Sequence, residues 1–223
     1  MFDRFKLLVN DKFDDIVNKT VLVIGLGGVG SYTVESLVRS GIRHLILVDG
    51  DKVDESNLNR QLMTNIDNIG DDKTEVWRKR ISKINPNCSV TTVTKFINKD
   101  NIDELFQYDI DYVVDACDTV STKILLIDYC HRLNIKIISC MGTGNKMDPS
   151  KLKIMDIYKT NYDPLAKVVR KKCRDLGIKK QMVVCSCEKG ILDNIDIIPS
   201  NSFVPATAGL LMTSYIINDI VGD

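Results

Sequence analysis

Val21-Leu22-Val23-Ile24-Gly25-Leu26-Gly27-Gly28-Val29-Gly30-Ser31 is the stretch that decides the fold. Its first four residues are apolar without alternation, opened by Lys19-Thr20 and closed by Gly25, as expected of a strand buried on both faces of a parallel sheet. Gly25 to Gly30 then fit G-x-G-x-x-G, and a helix is expected from Ser31. Glycines at this spacing let the backbone turn tightly and approach a phosphate. The helix N-terminus that follows offers free N–H groups and a positive partial charge. Taken alone, the pattern points to a nucleotide without saying which, and a purely structural turn can share the string.

Outward from this stretch, apolar runs alternate with helical periodicity. Leu45 to Val48 and Tyr112 to Val114 each run into an aspartate, Cys88 to Val93 reads as a third strand, and Ile135 to Ser139 follows a helix over Leu125 to Arg132. Lys73 to Ile84 places Val76, Trp77, Ile81 and Ile84 near one helical face, and Asn85-Pro86-Asn87 stops that helix. Past Gly142 the rhythm weakens, with short strands near Leu152 to Ile157 and Met182 to Cys185 around a basic segment. The expected fold is α/β: a doubly wound, mostly parallel Rossmann-like sheet with a C-terminal α/β extension. We expect one domain over 1–223, with 1–141 as the nucleotide-binding core and 142–223 as a substrate-side extension ending in a helix.

Composition narrows the function classes. The 223 residues are 44% hydrophobic, enough for a sizeable core, and 30 basic residues balance 30 acidic ones. No global field would draw the chain onto nucleic acid or anionic lipid, so an RNA partner would need a local patch. The densest patch is Lys167, Arg170, Lys171, Lys172 and Arg174, followed by Lys179 and Lys180; a solvated helix face has the same composition. Seven unevenly spaced cysteines suit a reducing cytoplasm better than a secreted disulfide framework. The charged start MFDRFKLLVNDKFDD has no signal-peptide apolar run. Phe203 to Val221 is apolar but interrupted by polar residues, and is expected to be a packed core helix rather than a membrane span.

Asp49, ending the second strand, is placed to accept from a ribose hydroxyl, a feature that a nicotinamide-dependent dehydrogenase would share. Arg60 and Lys73 are available to answer charge developing on a triphosphate attacked at its α-phosphorus. Asp115-Ala116-Cys117-Asp118 ends the fourth strand with two carboxylates, a pair able to hold one Mg²⁺; alternatively, Asp115 caps the next helix while Asp118 takes the metal. No C-x-x-C pair is present, so no four-ligand zinc site is expected, and a thiolate intermediate at Cys185 or Cys187 has no adjacent base in the sequence.

Gly25-x-Gly27-Gly28-x-Gly30, Asp49-x-Asp51-x-Val53, Asn57-x-x-Arg60-Gln61, Ile69-Gly70-x-x-Lys73 and Ile84-Asn85-Pro86, in this order, resemble the adenylation domain of ubiquitin-activating-like enzymes and the bacterial adenylyltransferases of thiamine and molybdopterin synthesis. The resemblance implies ATP as the nucleotide, bound by Gly25, Gly27, Gly28, Gly30, Asp49, Asp51, Asn57, Arg60, Gln61, Lys73 and Asp118. It also implies Mg²⁺ on Asp118 and a homodimer in which the segment around Arg4 can reach the partner's nucleotide site; a frayed terminus is the alternative for Arg4.

Gly142-Thr143-Gly144-Asn145-Lys146-Met147-Asp148-Pro149, Asp156 to Thr160 and Asp163 to Arg170 look like the corresponding run of the tRNA threonylcarbamoyladenosine dehydratases. Val184 to Glu188 and Ser202 to Pro205 resemble later blocks of that family more loosely, and the stretch between Glu188 and Ser202 is shorter than in many relatives. This resemblance implies cyclising dehydration of the modified adenosine beside the anticodon, through an acyl-adenylate on its threonine carboxylate, with a possible sulfur-transfer partner. Competing readings are an adenylyltransferase for the C-terminus of a small sulfur-carrier protein, a nicotinamide-dependent dehydrogenase and a silent nucleotide-binding scaffold. Activity dependent on modified tRNA, activity dependent on a carrier protein, and preference for NADH over ATP divide them.

Overall fold

In a computed structural model that describes residues 1–193 and 196–222, the apolar runs become the strands β1 (Thr20–Ile24), β2 (His44–Val48), β3 (Ser89–Val93), β4 (Tyr112–Asp115), β5 (Lys136–Cys140), β6 (Leu152–Asp156) and β7 (Met182–Ser186). Asn194 and Ile195, within the shortened stretch after Glu188, lie outside the described residues. The sheet order is β3-β2-β1-β4-β5-β7-β6, with every neighbouring pair parallel except β6 with β7. The chain winds outward from β1 through β2 to β3 and then returns to β4 on the other side of β1. That reversal opens a crevice beyond the carboxyl ends of β1 and β4, where ligands of such sheets sit.

Alternation along each strand divides the interior into two layers. Val21, Val23, Leu45, Leu47, Tyr112 and Val114 face one side, with α2 (Phe13–Val17), α3 (Gly28–Arg39), α4 (Lys73–Ile84) and α7 (Phe203–Val221). Leu22, Ile24, Ile46, Val48 and Val113 face the other, covered by α5 (Val120–Leu133) and α6 (Pro164–Asp175). Burial of both faces explains why the strands read as continuous apolar runs.

Helix α7 is long and apolar enough to cross a membrane by length and composition, yet one side of it packs along α3, with 44% of an 18-residue stretch buried. A Cβ on Gly209 would stand 2.3 Å from the Val29 carbonyl, so the helices meet at backbone distance. Thr33 Oγ1 donates to the Gly209 carbonyl at 3.1 Å. At the far end Asp219 accepts from Tyr112 Oη at 2.5 Å and from Lys136 Nζ at 2.6 Å, tying α7 to β4 and β5.

Two helix starts differ from expectation. Helix α3 begins at Gly28 rather than Ser31: Gly27 is its N-cap and Ser31 N already donates to Gly27 O at 2.9 Å. Helix α5 begins at Val120 rather than Leu125. Its first turns carry Thr122 and Lys123, which look solvent-directed in sequence but are buried, Thr122 bonded to the Ile97 carbonyl at 2.8 Å. The N-terminal segment is a helix, α1 (Asp3–Val9), not a frayed end, because the Phe2 and Phe5 rings pack on Phe13 at 5.7 and 6.4 Å.

Candidate nucleotide-binding and adenylation site

The glycine loop leaves β1 at Gly25, whose φ of 86° is in the left-handed region that favours glycine. A Cβ there would fall 2.7 Å from the Ala116 carbonyl, and one on Gly30 would fall 1.8 Å from the Gly25 carbonyl. The loop is therefore folded onto itself and onto the end of β4, and its glycines answer steric demands. Because α3 starts at Gly28, the amides of Gly28, Val29 and Gly30 belong to its first turn and have no intrahelical acceptor. Gly30→Ala is expected to cost about 3 kcal/mol, at the upper end of overpacking, and to abolish nucleotide binding. Urea unfolding and fluorescent-nucleotide titration are the checks.

Asp49 secures this loop from β2. Its Oδ2 accepts from Leu26 N at 2.7 Å and its Oδ1 from Asp51 N at 2.8 Å. Burial pushes its carboxyl up, and the Lys73 charge and the two amides oppose that shift. Each oxygen retains lone-pair capacity for a ribose hydroxyl.

Lys73, at the first position of α4, is 4% exposed and donates from Nζ to Asp51 Oδ2 at 3.0 Å. Its partner carboxylate is largely exposed, so the ammonium keeps donors for a phosphate. The Arg60 stem crosses Gly28, with Cγ 3.5 Å from where that residue's Cβ would stand. Its Nη1 donates to the Ser56 carbonyl at 2.6 Å and to Asn59 Oδ1 at 2.8 Å. Next to it, Gln61 Nε2 lies 3.7 Å from the corresponding point on Gly27, while Gln61 Oε1 is buried without a hydrogen-bond partner among the described residues. Asn57 is buried and completes a capping box with Asp54, which shapes the turn carrying Arg60 and Gln61.

Asp115 does not cap α5. It is wholly buried, and Lys123 Nζ donates to both of its oxygens at 2.8 Å, with Cys117 Sγ 3.1 Å from Oδ1. Burial disfavours the Lys123 ammonium, but the Asp115 carboxylate together with the nearby Cys117 and Cys140 sulfurs more than offsets this, and the pKa is raised. An ion pair eight positions apart has no local signature in sequence, so only the fold gives Lys123 this role. Asp118, by contrast, is exposed at the mouth of the crevice and receives only a 3.4 Å contact from Thr119 Oγ1 among the described residues. No group of three metal-ligating side chains exists among the described residues. A carboxylate at the end of β4, one residue past the Ala116–Cys117 backbone that Gly25 packs on, nevertheless suits Mg²⁺, which takes one or two protein oxygens and fills its shell with phosphate and water.

The basic cluster lies on α6, where Lys167, Lys171, Lys172 and Arg174 are exposed. Arg170 is half-buried, its Nη1 donating to the carbonyl and hydroxyl of Thr160 at 2.8 and 2.7 Å. All seven cysteines are free. Burial pushes the Cys185 thiol up to about 12, which opposes a thiolate role.

The arrangement can hold a nucleoside triphosphate over the glycine loop, with cations on one flank and a carboxylate on the other. The sequence model of the ThiF family matches residues 3–219. The chain is 40% identical over 241 residues to the tRNA threonylcarbamoyladenosine dehydratase of Bacillus subtilis (strain 168), an alignment covering 100% of this chain and 95% of that protein. It is 41% identical over 161 residues to the protein of the same name from Escherichia coli (strain K12), covering 72% of this chain and 60% of that protein. The crystal structure of the E. coli tRNA N6-threonylcarbamoyladenosine dehydratase in complex with ATP superposes with a TM-score of 0.93 at 33% identity, covering 98% of this chain and 93% of that one. The complex of the same E. coli protein with AMP superposes equally well, with a TM-score of 0.93 at 34% identity and the same coverage.

Proposed function

The chain belongs to the ThiF family, and from that premise we propose that it is an ATP-dependent dehydratase of threonylcarbamoyladenosine in tRNA. The observation that carries the reading is the glycine loop with first-turn amides open to an anion, Lys73 on the β2 side and Asp118 on the β4 side. Relatives spanning nearly the whole chain carry the same name, and one of them binds ATP and AMP in the same fold.

A threonine carboxylate is a poor acyl donor because its leaving group would be oxide or hydroxide. In the proposed reaction a carboxylate oxygen attacks the α-phosphorus of ATP, the bond to the β-phosphate oxygen breaks and pyrophosphate leaves. Lys73 and Arg60 stabilise the charge that develops on the phosphate oxygens, and the amides of Gly28 to Gly30 hold the phosphates in place. Mg²⁺, where bound by Asp118, supplies further charge neutralisation. The carbamoyl group of the same nucleoside then attacks the acyl carbon, losing its proton to solvent while AMP leaves, and the ring closes with net loss of one water. Because this nucleophile is already tethered, its effective concentration is high and no enzyme cysteine is required.

Mass spectrometry of nucleosides from modified tRNA, incubated with the protein, ATP and Mg²⁺, is expected to show loss of one water. Pyrophosphate–ATP exchange that depends on a small carrier protein instead of tRNA would overturn the assignment. Asp118→Ala is expected to lower kcat by about 10²-fold at saturating Mg²⁺. Unchanged turnover in that variant would remove Asp118 as the metal ligand.

Two copies acting together are part of the same reading. Leu7 and Leu8 are exposed on α1 beside Arg4, giving an apolar edge that a second copy would cover. Sedimentation equilibrium returning a monomer would remove that part. The free cysteines suit a reducing compartment.

A further inference from the structure

Beyond the glycine loop, the turn after β5 carries a second charged pair sealed from water. Lys146 and Asp163 are 6% and 5% exposed. Lys146 Nζ donates to Asp163 Oδ2 at 2.9 Å and to the Gly142 carbonyl at 2.5 Å. Buried charges lose their hydration, and only close, well-bonded geometry offsets that cost. The adenylation step proposed above uses neither residue.

Each residue of the pair has a second attachment. Asp163 Oδ1 accepts from Ala166 N at 2.7 Å, capping α6 ahead of Pro164. A Cβ on Gly142 would stand 2.7 Å from Asp163 Oδ2, so only glycine lets the carboxylate approach this turn. The main chain of Lys146 is tied to the start of α7: its carbonyl accepts from Asn201 Nδ2 at 2.7 Å, and Asn201 Oδ1 accepts from Val204 N at 2.9 Å in the first turn of α7. Pro205, next in that turn, sits 3.2 Å from where a Gly28 Cβ would be. Lys146 thus holds the start of α6 with its side chain and, through Asn201, the flank of the glycine loop with its main chain.

We propose that Lys146 and Asp163 are positioning residues that set the cationic helix α6, and the RNA lying on it, at a fixed offset from the phosphate pocket. The inference rests on the reading of the substrate as tRNA and names the device that registers the two substrates with one another. A reacting carboxylate must meet the α-phosphorus at near contact, and a displacement of about 1 Å is enough to cost on the order of 10²-fold in rate.

The test compares Lys146→Met with the double variant Lys146→Met/Asp163→Asn, in which both charges are gone and asparagine keeps a capping oxygen. Both are expected to bind ATP within about twofold of wild type while kcat/KM for modified tRNA falls at least about tenfold, mostly through kcat. The melting temperature should fall in the single variant and recover in the double one. Recovery of kcat/KM for tRNA together with stability in the double variant would show a merely structural role and overturn the proposal. So would a wild-type kcat/KM for tRNA in folded Lys146→Met. A wild-type protein that leaves the modified nucleoside intact overturns the functional reading itself, and this inference with it, before any substitution is made.

Discussion

Lys73→Ala is expected to reduce kcat for tRNA dehydration by about 10²–10³-fold, the range seen when one preorganised donor to a developing oxyanion is removed. The same substitution should cost little stability. The side chain's one ionic partner among the described residues, Asp51, is 54% exposed and would be hydrated when left alone. Thermal unfolding should therefore shift only slightly while single-turnover AMP formation collapses. Lys73 also opposes the upward shift that burial imposes on Asp49. Its removal should raise that carboxyl further and weaken ribose binding as pH falls through the raised value. A variant with near-normal single-turnover rates would mean that the ammonium serves Asp51 and Asp49 and not the phosphates.

Lys123→Met has its main effect on folding. The ammonium and the Asp115 carboxylate are both inaccessible to solvent, and each loses its only charged partner among the described residues if the other is removed. Stranding a carboxylate at the centre of the sheet should cost about 3–5 kcal/mol, measurable as a lower urea midpoint at unchanged slope. Lys123 is raised above the ordinary lysine value on folding. Its contribution is therefore present below that ordinary value and is lost as pH rises through the raised one. The destabilisation should accordingly be undiminished at neutral pH. Asp115→Asn combined with Lys123→Met should recover much of the loss, because a neutral amide carries a smaller desolvation cost. If Lys123→Met alone unfolds like wild type, the pair contributes nothing net and the turn bearing Asp118 is held by other contacts.

The sheet and the phosphate loop were legible because their signals are local. A strand buried on both faces must be apolar at consecutive positions, and β1, β2, β4 and β5 obey this, so their bounds fall within a residue or so of the expected runs. The glycine spacing was legible because Gly25 needs a left-handed φ and Gly30 has no room for a Cβ, conditions that a string of residues can display. Helix α3 starts three residues before the expected Ser31 because Gly28, Val29 and Gly30 of the glycine loop already belong to the helix.

The ion pairs were not legible. Asp115 and Lys123, or Lys146 and Asp163, are indistinguishable in sequence from the many solvated charges of this balanced chain, and only burial changes what they do. The order of residues alone specifies the parallel sheet, the crevice and the kind of ligand that a glycine-lined helix start attracts, because each follows from the sterics and periodicity of neighbouring residues. Tertiary structure alone decided which charges are sealed together and how α6 is fastened beside the phosphate loop. Those outcomes depend on desolvation and on distances between segments far apart along the chain.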